Sequence, residues 1–85
     1  MTRIVMYSTG SCPHCIMAEK LLHSKGVEEI EKIRVDLEPT RHIEMLEKTG
    51  RRTVPQIYIG ETHVGGYEDL VMLNRKDELV KLLAV

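Results

Sequence analysis

The chain has 85 residues, of which 42% are hydrophobic, and this supplies one modest core but not two. We therefore expect a single domain over residues 1–85. Its 12 lysines and arginines nearly balance 13 acidic residues, and the formal net charge of -1 provides no general attraction toward nucleic acid or anionic membranes, so neither is an expected partner.

The apolar run at residues 4–7 is much shorter than the roughly 7 to 15 residues of a signal-peptide core, and no run approaches the roughly 20 residues of a membrane span. These lengths favour a cytoplasmic location. The chain has two cysteines, Cys12 and Cys15. In a reducing cytoplasm such a pair is seldom a structural disulfide, so catalysis or metal binding explains it better.

The chain opens with the pattern of a strand followed by a helix. Residues 4–7 are apolar and partly β-branched and predict a buried strand, and the turn-forming residues 8–11 predict its exit loop. A helix is expected to begin at Pro13 and to stop at Gly26. Its apolar residues at helical spacing are Met17, Ala18, Leu21 and Leu22.

A second strand and a second helix follow. Alternating polarity predicts a strand over residues 30–36. The side chains expected on its apolar face are Ile33, Val35 and Leu37. Pro39 is suited to open a helix that directs Ile43 and Leu46 inward and ends at Gly50.

The rest of the chain predicts a hairpin and two helices. Two β-like runs at residues 56–59 and 62–64 are joined by residues 60–61, Gly-Glu, a pair compatible with a type II′ turn. Residues 67–85 carry leucines at helical intervals, with a break near residues 74–75. The predicted order is therefore βαβ-α-ββ-αα, an α/β fold.

The pair Cys12 and Cys15 falls at the predicted start of the first helix, where unpaired backbone N–H groups stabilise an anion. We therefore expect Cys12 to be the nucleophile, and Cys15, one turn further, to be the more buried and less ionised resolving thiol. Pro13 suits the first helical position. His14 either stabilises the Cys12 thiolate or is an exposed histidine without an electrostatic role.

Three motifs in order give the chain a resemblance to a known family: "CPHC" after the first strand, "TVPQIYI" at the hairpin and "GGYEDL" at the third helix. The sequence resembles a glutaredoxin of the small bacterial dithiol type over nearly its whole length. The resemblance implies a thioredoxin fold, with a four-stranded mixed sheet flanked by helices and a cis peptide bond before Pro55. It also implies an oxidoreductase that uses glutathione as co-substrate, with no bound cofactor and no metal.

The same resemblance assigns a glutathione site. The Val54 backbone would pair with the ligand as a strand does, and the helix start after the glycine pair would receive the γ-glutamyl carboxylate. Glu68 or Asp69 would take the ammonium group. The residues implied are Thr53, Val54, Pro55, Gly66, Tyr67, Glu68, Asp69, Arg41 and His42. The implied protein partners carry disulfides or glutathionylated cysteines, with ribonucleotide reductase as one candidate, and a monomer is the default state.

Three positions depart from the family pattern. Tyr67 stands where the family often has a cysteine or a small residue after the glycine pair. Thr9 stands where the family commonly has a lysine, three residues before the nucleophile. The family position on the second helix that is usually glutamine or arginine falls on His42, next to Arg41. We expect Arg41, His42 or Arg52 to compensate partly for the missing lysine.

Other functions stay open at this stage. One is an iron–sulfur cluster carrier in which two chains share a cluster with glutathione as ligand, and another is a non-enzymatic redox regulator. A zinc site is disfavoured because one CxxC supplies two of the four ligands needed. Side chains expected in the core or a groove wall are Tyr7, Tyr58, Met6, Met17, Met45 and Met72, whereas His23 and His63 are expected to face solvent.

Overall fold

The structure is a computed structural model that describes residues 3–83. Its elements are β1 (Ile4–Ser8), α1 (Pro13–Ser24), β2 (Glu31–Arg34), α2 (Pro39–Thr49), β3 (Gln56–Ile59), β4 (Thr62–Gly65), α3 (Tyr67–Arg75) and α4 (Glu78–Leu83). This order confirms the predicted sequence of strands and helices. The last two positions of the predicted C-terminal helices, residues 84–85, lie outside the described residues. No helix within residues 3–83 is both long enough and apolar enough to cross a membrane.

The four strands form one mixed sheet in the order β2-β1-β3-β4. Strand β1 is parallel to β2, with Tyr7 opposite Ile33, and antiparallel to β3, with Met6 opposite Ile57. The parallel pair needs a crossover connection, which α1 supplies, whereas β3 and β4 are joined by a tight hairpin. The arrangement is the thioredoxin fold expected from the resemblance.

Strand β1 is buried on both faces of the sheet. Successive strand residues point to opposite faces, and both Met6 and Tyr7 are at most 1% exposed. Met6 joins a cluster with residues of α1, α3 and α4, including Leu22 and Leu70. Tyr7 joins a second cluster with Met45 of α2. Double-sided burial explains why β1 reads as a continuous apolar run instead of an alternating one.

The predicted helix and turn signals are largely confirmed. Helix α2 ends where expected, because Gly50 adopts a left-handed conformation (φ 70°) and its N–H donates to the Leu46 carbonyl. Gly60 has φ 61° at the first position of the hairpin turn. The break between α3 and α4 comes later than predicted, with Asp77 at φ 60°. Aspartate tolerates this conformation better than most residues, since its short polar side chain can bond locally.

Four apolar side chains predicted to be inward are exposed, namely Met17, Leu37, Ile43 and Met72. Leu37 lies beyond the end of β2, in a turn where strand alternation no longer applies. The other three each lie two residues from a buried residue of their own helix, respectively Cys15, Met45 and Leu70. Residues two apart on an α-helix are about 200° apart around its axis, so both cannot face the sheet.

Candidate active site

Cys12 and Cys15 form a disulfide at the N-terminus of α1, with their Cα atoms 5.2 Å apart. Cys12 is the N-cap residue with extended backbone (φ -131°, ψ 96°), and Pro13 is the first helical residue. Proline fits there because its fixed φ suits the helix and its missing N–H would have no helical acceptor. The short loop after β1 therefore places the nucleophile candidate at the positive end of the helix.

The hydrogen bonds at the disulfide distinguish the two cysteines. Cys12 Sγ accepts the Cys15 backbone N–H at 3.1 Å and lies 3.8 Å from the Val54 carbonyl oxygen. An N–H donor and the helix dipole both favour a thiolate at Cys12. The expected difference in burial is absent in this oxidised state, since the exposed fractions are 7% and 6%. The two sulfurs are bonded to each other and are therefore buried together.

His14 stacks on Tyr67, with ring centroids 5.8 Å apart and an interplanar angle of 24°. The stack joins the first turn of α1 to the first residue of α3. It is a contact that neither reading of His14 from the sequence included. No local pattern indicates it, because the two rings are far apart in the sequence and meet where α1 and α3 pack in the same core cluster.

The loop opposite the disulfide contains Thr53, Val54 and Pro55, and the bond before Pro55 is cis, as the resemblance implied. Gly66 lies against this loop: a Cβ at its position would lie 3.5 Å from the Pro55 carbonyl oxygen. The start of α3 and the loop are therefore in direct contact beside Cys12.

We call Gly66, Asp69 and Arg51 the α3 corner. Asp69 Oδ2 accepts the Gly66 N–H at 2.9 Å and an Arg51 Nη1 hydrogen at 2.9 Å. These two donors, the Gly66 N–H first, lower the pKa of the Asp69 carboxyl. Gly65 is required here, since it has φ 110° and any Cβ would collide with the Asp69 carboxylate. Glu68, the other predicted acid, is exposed.

On the other side of the loop a groove of about 480 Å³ runs toward α2, and we call it the α2 groove. Its lining residues are Thr9, Val35, Asp36, Pro39, His42, Ile43, Arg52 and Val54. The structure thus brings Thr9 together with His42 and Arg52, two of the three residues expected to compensate for the missing lysine. Arg41 is not among the lining residues, and its Nη1 lies 3.6 Å from Glu44 Oε1 instead.

Two polar contacts near the site were missed from the sequence. Asp36 accepts the Gly10 N–H at 3.2 Å and two hydrogens from Arg34, which ties β2 to the loop before Cys12. The Arg34 guanidinium holds the pKa of the Asp36 carboxyl well below its usual range. His63, predicted to face solvent, is partly buried and bonded to Gln56. The only local signal for the Arg34–Asp36 contact is the spacing of two residues. The contact between His63 and Gln56 has no local signal.

A thioredoxin fold with a CxxC disulfide at the N-cap of its first helix, facing a cis-proline loop, defines a dithiol oxidoreductase. The sequence model of one family of this class, described as glutaredoxin, matches residues 4–64. Within residues 3–83, no group of three or more His, Cys, Asp or Glu side chains is arranged to hold a metal ion.

Known proteins agree with that match. A glutaredoxin from Neisseria meningitidis is 49% identical over 83 residues, covering 98% of each chain. Glutaredoxin 3 from Escherichia coli is 39% identical over 83 residues, covering 98% of this chain and 99% of that protein. A crystal structure of a buckwheat glutaredoxin-glutathione complex has a TM-score of 0.88 at 30% identity, covering 98% of this chain and 77% of that chain. The chain belongs to the glutaredoxin family and is a thiol-disulfide oxidoreductase.

Proposed function

We propose that this glutaredoxin is glutathione-dependent and reduces protein-glutathione mixed disulfides and protein disulfides, with Cys12 as nucleophile and Cys15 as resolving thiol. The observation that carries the proposal is the position of Cys12 Sγ, which accepts the Cys15 N–H at the α1 N-terminus and faces the Val54 carbonyl. A sulfur in this place is stabilised as a thiolate, both as attacking group and as leaving group.

The reaction with a mixed disulfide has two exchanges. The Cys12 thiolate attacks the glutathione sulfur, a Cys12–glutathione disulfide forms, and the substrate cysteine leaves as a thiolate that takes a proton from water. A second glutathione thiolate then attacks the glutathione sulfur of the adduct, which releases oxidised glutathione and the Cys12 thiolate. With a protein disulfide, the Cys12 thiolate first attacks one sulfur, and the other substrate cysteine leaves as a thiolate. The Cys15 thiolate then attacks the Cys12 sulfur of the mixed disulfide, the second substrate cysteine leaves, and the Cys12–Cys15 disulfide of this structure forms.

The proposed glutathione site uses the surfaces around the loop. Val54 offers its backbone for strand-like pairing with the glutathione cysteine. At the α3 corner, the helix start at Tyr67 receives the γ-glutamyl carboxylate, and the ionised Asp69 receives the ammonium group. In the α2 groove, His42 and Arg52 receive the glycyl carboxylate in place of a lysine at position 9. Support comes from the glutathione complex of the buckwheat relative, which has the same fold.

The partners we propose are glutathione and proteins with a disulfide or glutathionylated cysteine, with ribonucleotide reductase as one candidate. The enzyme would act as a monomer, which is the default state. It would act in a reducing compartment such as the cytoplasm, because each turnover consumes reduced glutathione. Thr53 and Pro55 belong to the proposed site as the residues that flank Val54.

The test is reduction of the mixed disulfide of glutathione and 2-mercaptoethanol, coupled to glutathione reductase and NADPH. We expect wild type and Cys15→Ser to turn over and Cys12→Ser to be inactive. Cys15→Ser is the matched control, since it removes one thiol of the same pair. An inactive wild type contradicts the proposal, and visible absorbance bands after anaerobic purification would then favour the cluster-carrying alternative.

A further inference from the structure

Gln56 is a polar side chain with no exposure to water, at the first position of β3 and directly after the cis-proline loop. Its Nε2 lies 2.9 Å from the Thr53 carbonyl oxygen, and its Oε1 lies 2.9 Å from His63 Nε2. Nε2 also lies 3.3 Å from the Thr53 hydroxyl oxygen. A buried amide without partners would be costly, so these three contacts make Gln56 tolerable in the core.

Chemistry determines which group donates in each hydrogen bond of the series His63–Gln56–Thr53. A backbone carbonyl can only accept, so the group of Gln56 that faces Thr53 must be the NH₂ group. The amide oxygen is then left to face His63, and an amide oxygen can only accept. His63 must therefore carry its proton on Nε2 and donate it to Gln56.

The hydrogen-bonded series ends at the Thr53 carbonyl, next to Val54, whose backbone the proposed function uses. The Thr53 carbonyl and the Val54 N–H belong to one planar trans peptide group and point in opposite directions. A donor that holds the Thr53 carbonyl therefore also sets the direction of the Val54 N–H. Within residues 3–83, that N–H has no hydrogen-bond acceptor, so it is free for a ligand.

Groups from three segments surround His63 or act on it through charge. It stacks on Tyr58 of β3, with ring centroids 5.0 Å apart. Burial first, and then the charge of Arg51, lower the pKa of His63, while Asp69 on α3 acts in the opposite direction. The Nε2 proton is present in the required neutral tautomer and also in the cation, so the donor to Gln56 exists in both charge states.

We propose that His63 is a positioning residue for substrate binding: its Nε2–H, through the buried Gln56 amide, holds the Thr53 carbonyl and directs the Val54 N–H toward the backbone of the incoming glutathionyl cysteine. This rests on the proposed function, in which Val54 pairs with that cysteine. His63 touches neither sulfur nor substrate, so it acts on binding and leaves the chemistry of Cys12 unchanged.

The experiment compares His63→Leu with His63→Gln, because glutamine can present an N–H donor to Gln56 and leucine cannot. His23→Leu is the matched control, since His23 also bonds a protein oxygen, the Val27 carbonyl, at the far end of α1. Three quantities are measured for each: kcat and KM with the glutathione/2-mercaptoethanol mixed disulfide, the rate of Cys12 alkylation by iodoacetamide in the reduced protein, and the melting temperature.

We expect His63→Leu to raise KM about 2- to 10-fold with little change in kcat, the effect of one lost hydrogen bond. His63→Gln should recover most of this loss, and His23→Leu should leave KM unchanged. Alkylation should be equal in all variants, because iodoacetamide has no extended backbone to pair with Val54.

Four results would overturn the inference. An active wild type with the same KM in His63→Leu refutes it while leaving the proposed function intact. A KM loss that His63→Gln does not recover, or one accompanied by an equal fall in the alkylation rate, shows a general structural effect instead of positioning. An inactive wild type would refute the inference together with the proposed function.

Discussion

The α3 corner and the α2 groove lie on opposite sides of the same loop, and they are built in different ways. In the α3 corner, the carboxylate of Asp69 is already bonded to Gly66 and Arg51 before any ligand arrives. In the α2 groove, neither His42 nor Arg52 makes a salt bridge with any residue between 3 and 83. One surface is preorganised by hydrogen bonds, and the other offers the exposed guanidinium of Arg52 and the partly buried imidazole of His42.

This difference indicates which surface should contribute more to the binding free energy of glutathione. Preorganised groups bind a ligand without losing much conformational freedom, so their contacts contribute more. Exposed cations on long side chains lose freedom when they bind, and salt screens their attraction. We therefore expect the α3 corner to dominate the affinity for glutathione, with the α2 groove adding a small and salt-dependent part.

The largest effect is expected from Asp69→Asn, which keeps an oxygen for the Gly66 N–H but removes the negative charge. A hydrogen bond to a charged group contributes roughly 1.5 to 3 kcal/mol, so KM for the mixed disulfide should rise about 10-fold or more. The coupled assay measures this. Asp77→Asn is the control, because Asp77 is exposed between α3 and α4. A KM for Asp69→Asn within about twofold of wild type would show that the α3 corner does not dominate the affinity.

A smaller effect is expected from Arg52→Ala, which removes a cation that lines the α2 groove. KM should rise about threefold, in line with an exposed ion pair, and the difference should disappear at about 1 M salt. Arg41→Ala is the matched comparison, because Arg41 faces Glu44 outside the groove. Equal losses in both variants would show that overall charge matters and that position does not.

The smallest effect is expected from Thr9→Lys, which restores the cation of the family pattern beside His42 and Arg52. KM should fall about twofold at low salt, because part of the added attraction is offset by ordering a long side chain. Thr62→Lys, an exposed change on the hairpin, tests for a general charge effect. A higher KM in Thr9→Lys would mean that the groove has lost room for the family lysine.

The two surfaces also differ in how much of each could be predicted from the sequence. The motif "GGYEDL" offered Glu68 and Asp69 for the ammonium group of glutathione, which stays a prediction; the contact of Asp69 with Gly66 is a local relationship, since Asp69 lies three residues after the helix cap. Arg51, its partner, carried no local signal, since it lies 18 residues earlier in the chain. For the α2 groove, the sequence offered Arg41, His42 and Arg52 without a preference. Only the orientation of helix α2 places His42 in the groove and Arg41 outside it.

The same limit explains the errors in burial. The positions where helices begin and end were predictable at Pro13, Pro39 and Gly50, because proline and glycine act through their own backbone angles. Which face of a helix is buried depends on the partner, so Ile43 was placed inward although Met45 is the residue in contact with Tyr7. His63 was placed in solvent because its partner Gln56 is brought near by the hairpin.

Sequence by itself determined the element order, the nucleophile candidate at a helix start and the family, because these depend on residues close together in the chain. Tertiary structure alone decided the His14–Tyr67 stack, the convergence of Thr9, His42 and Arg52, and the bonded chain from His63 to Thr53. The physical reason is that these contacts join segments that are separated in the sequence, and their geometry depends on how the helices and strands pack together.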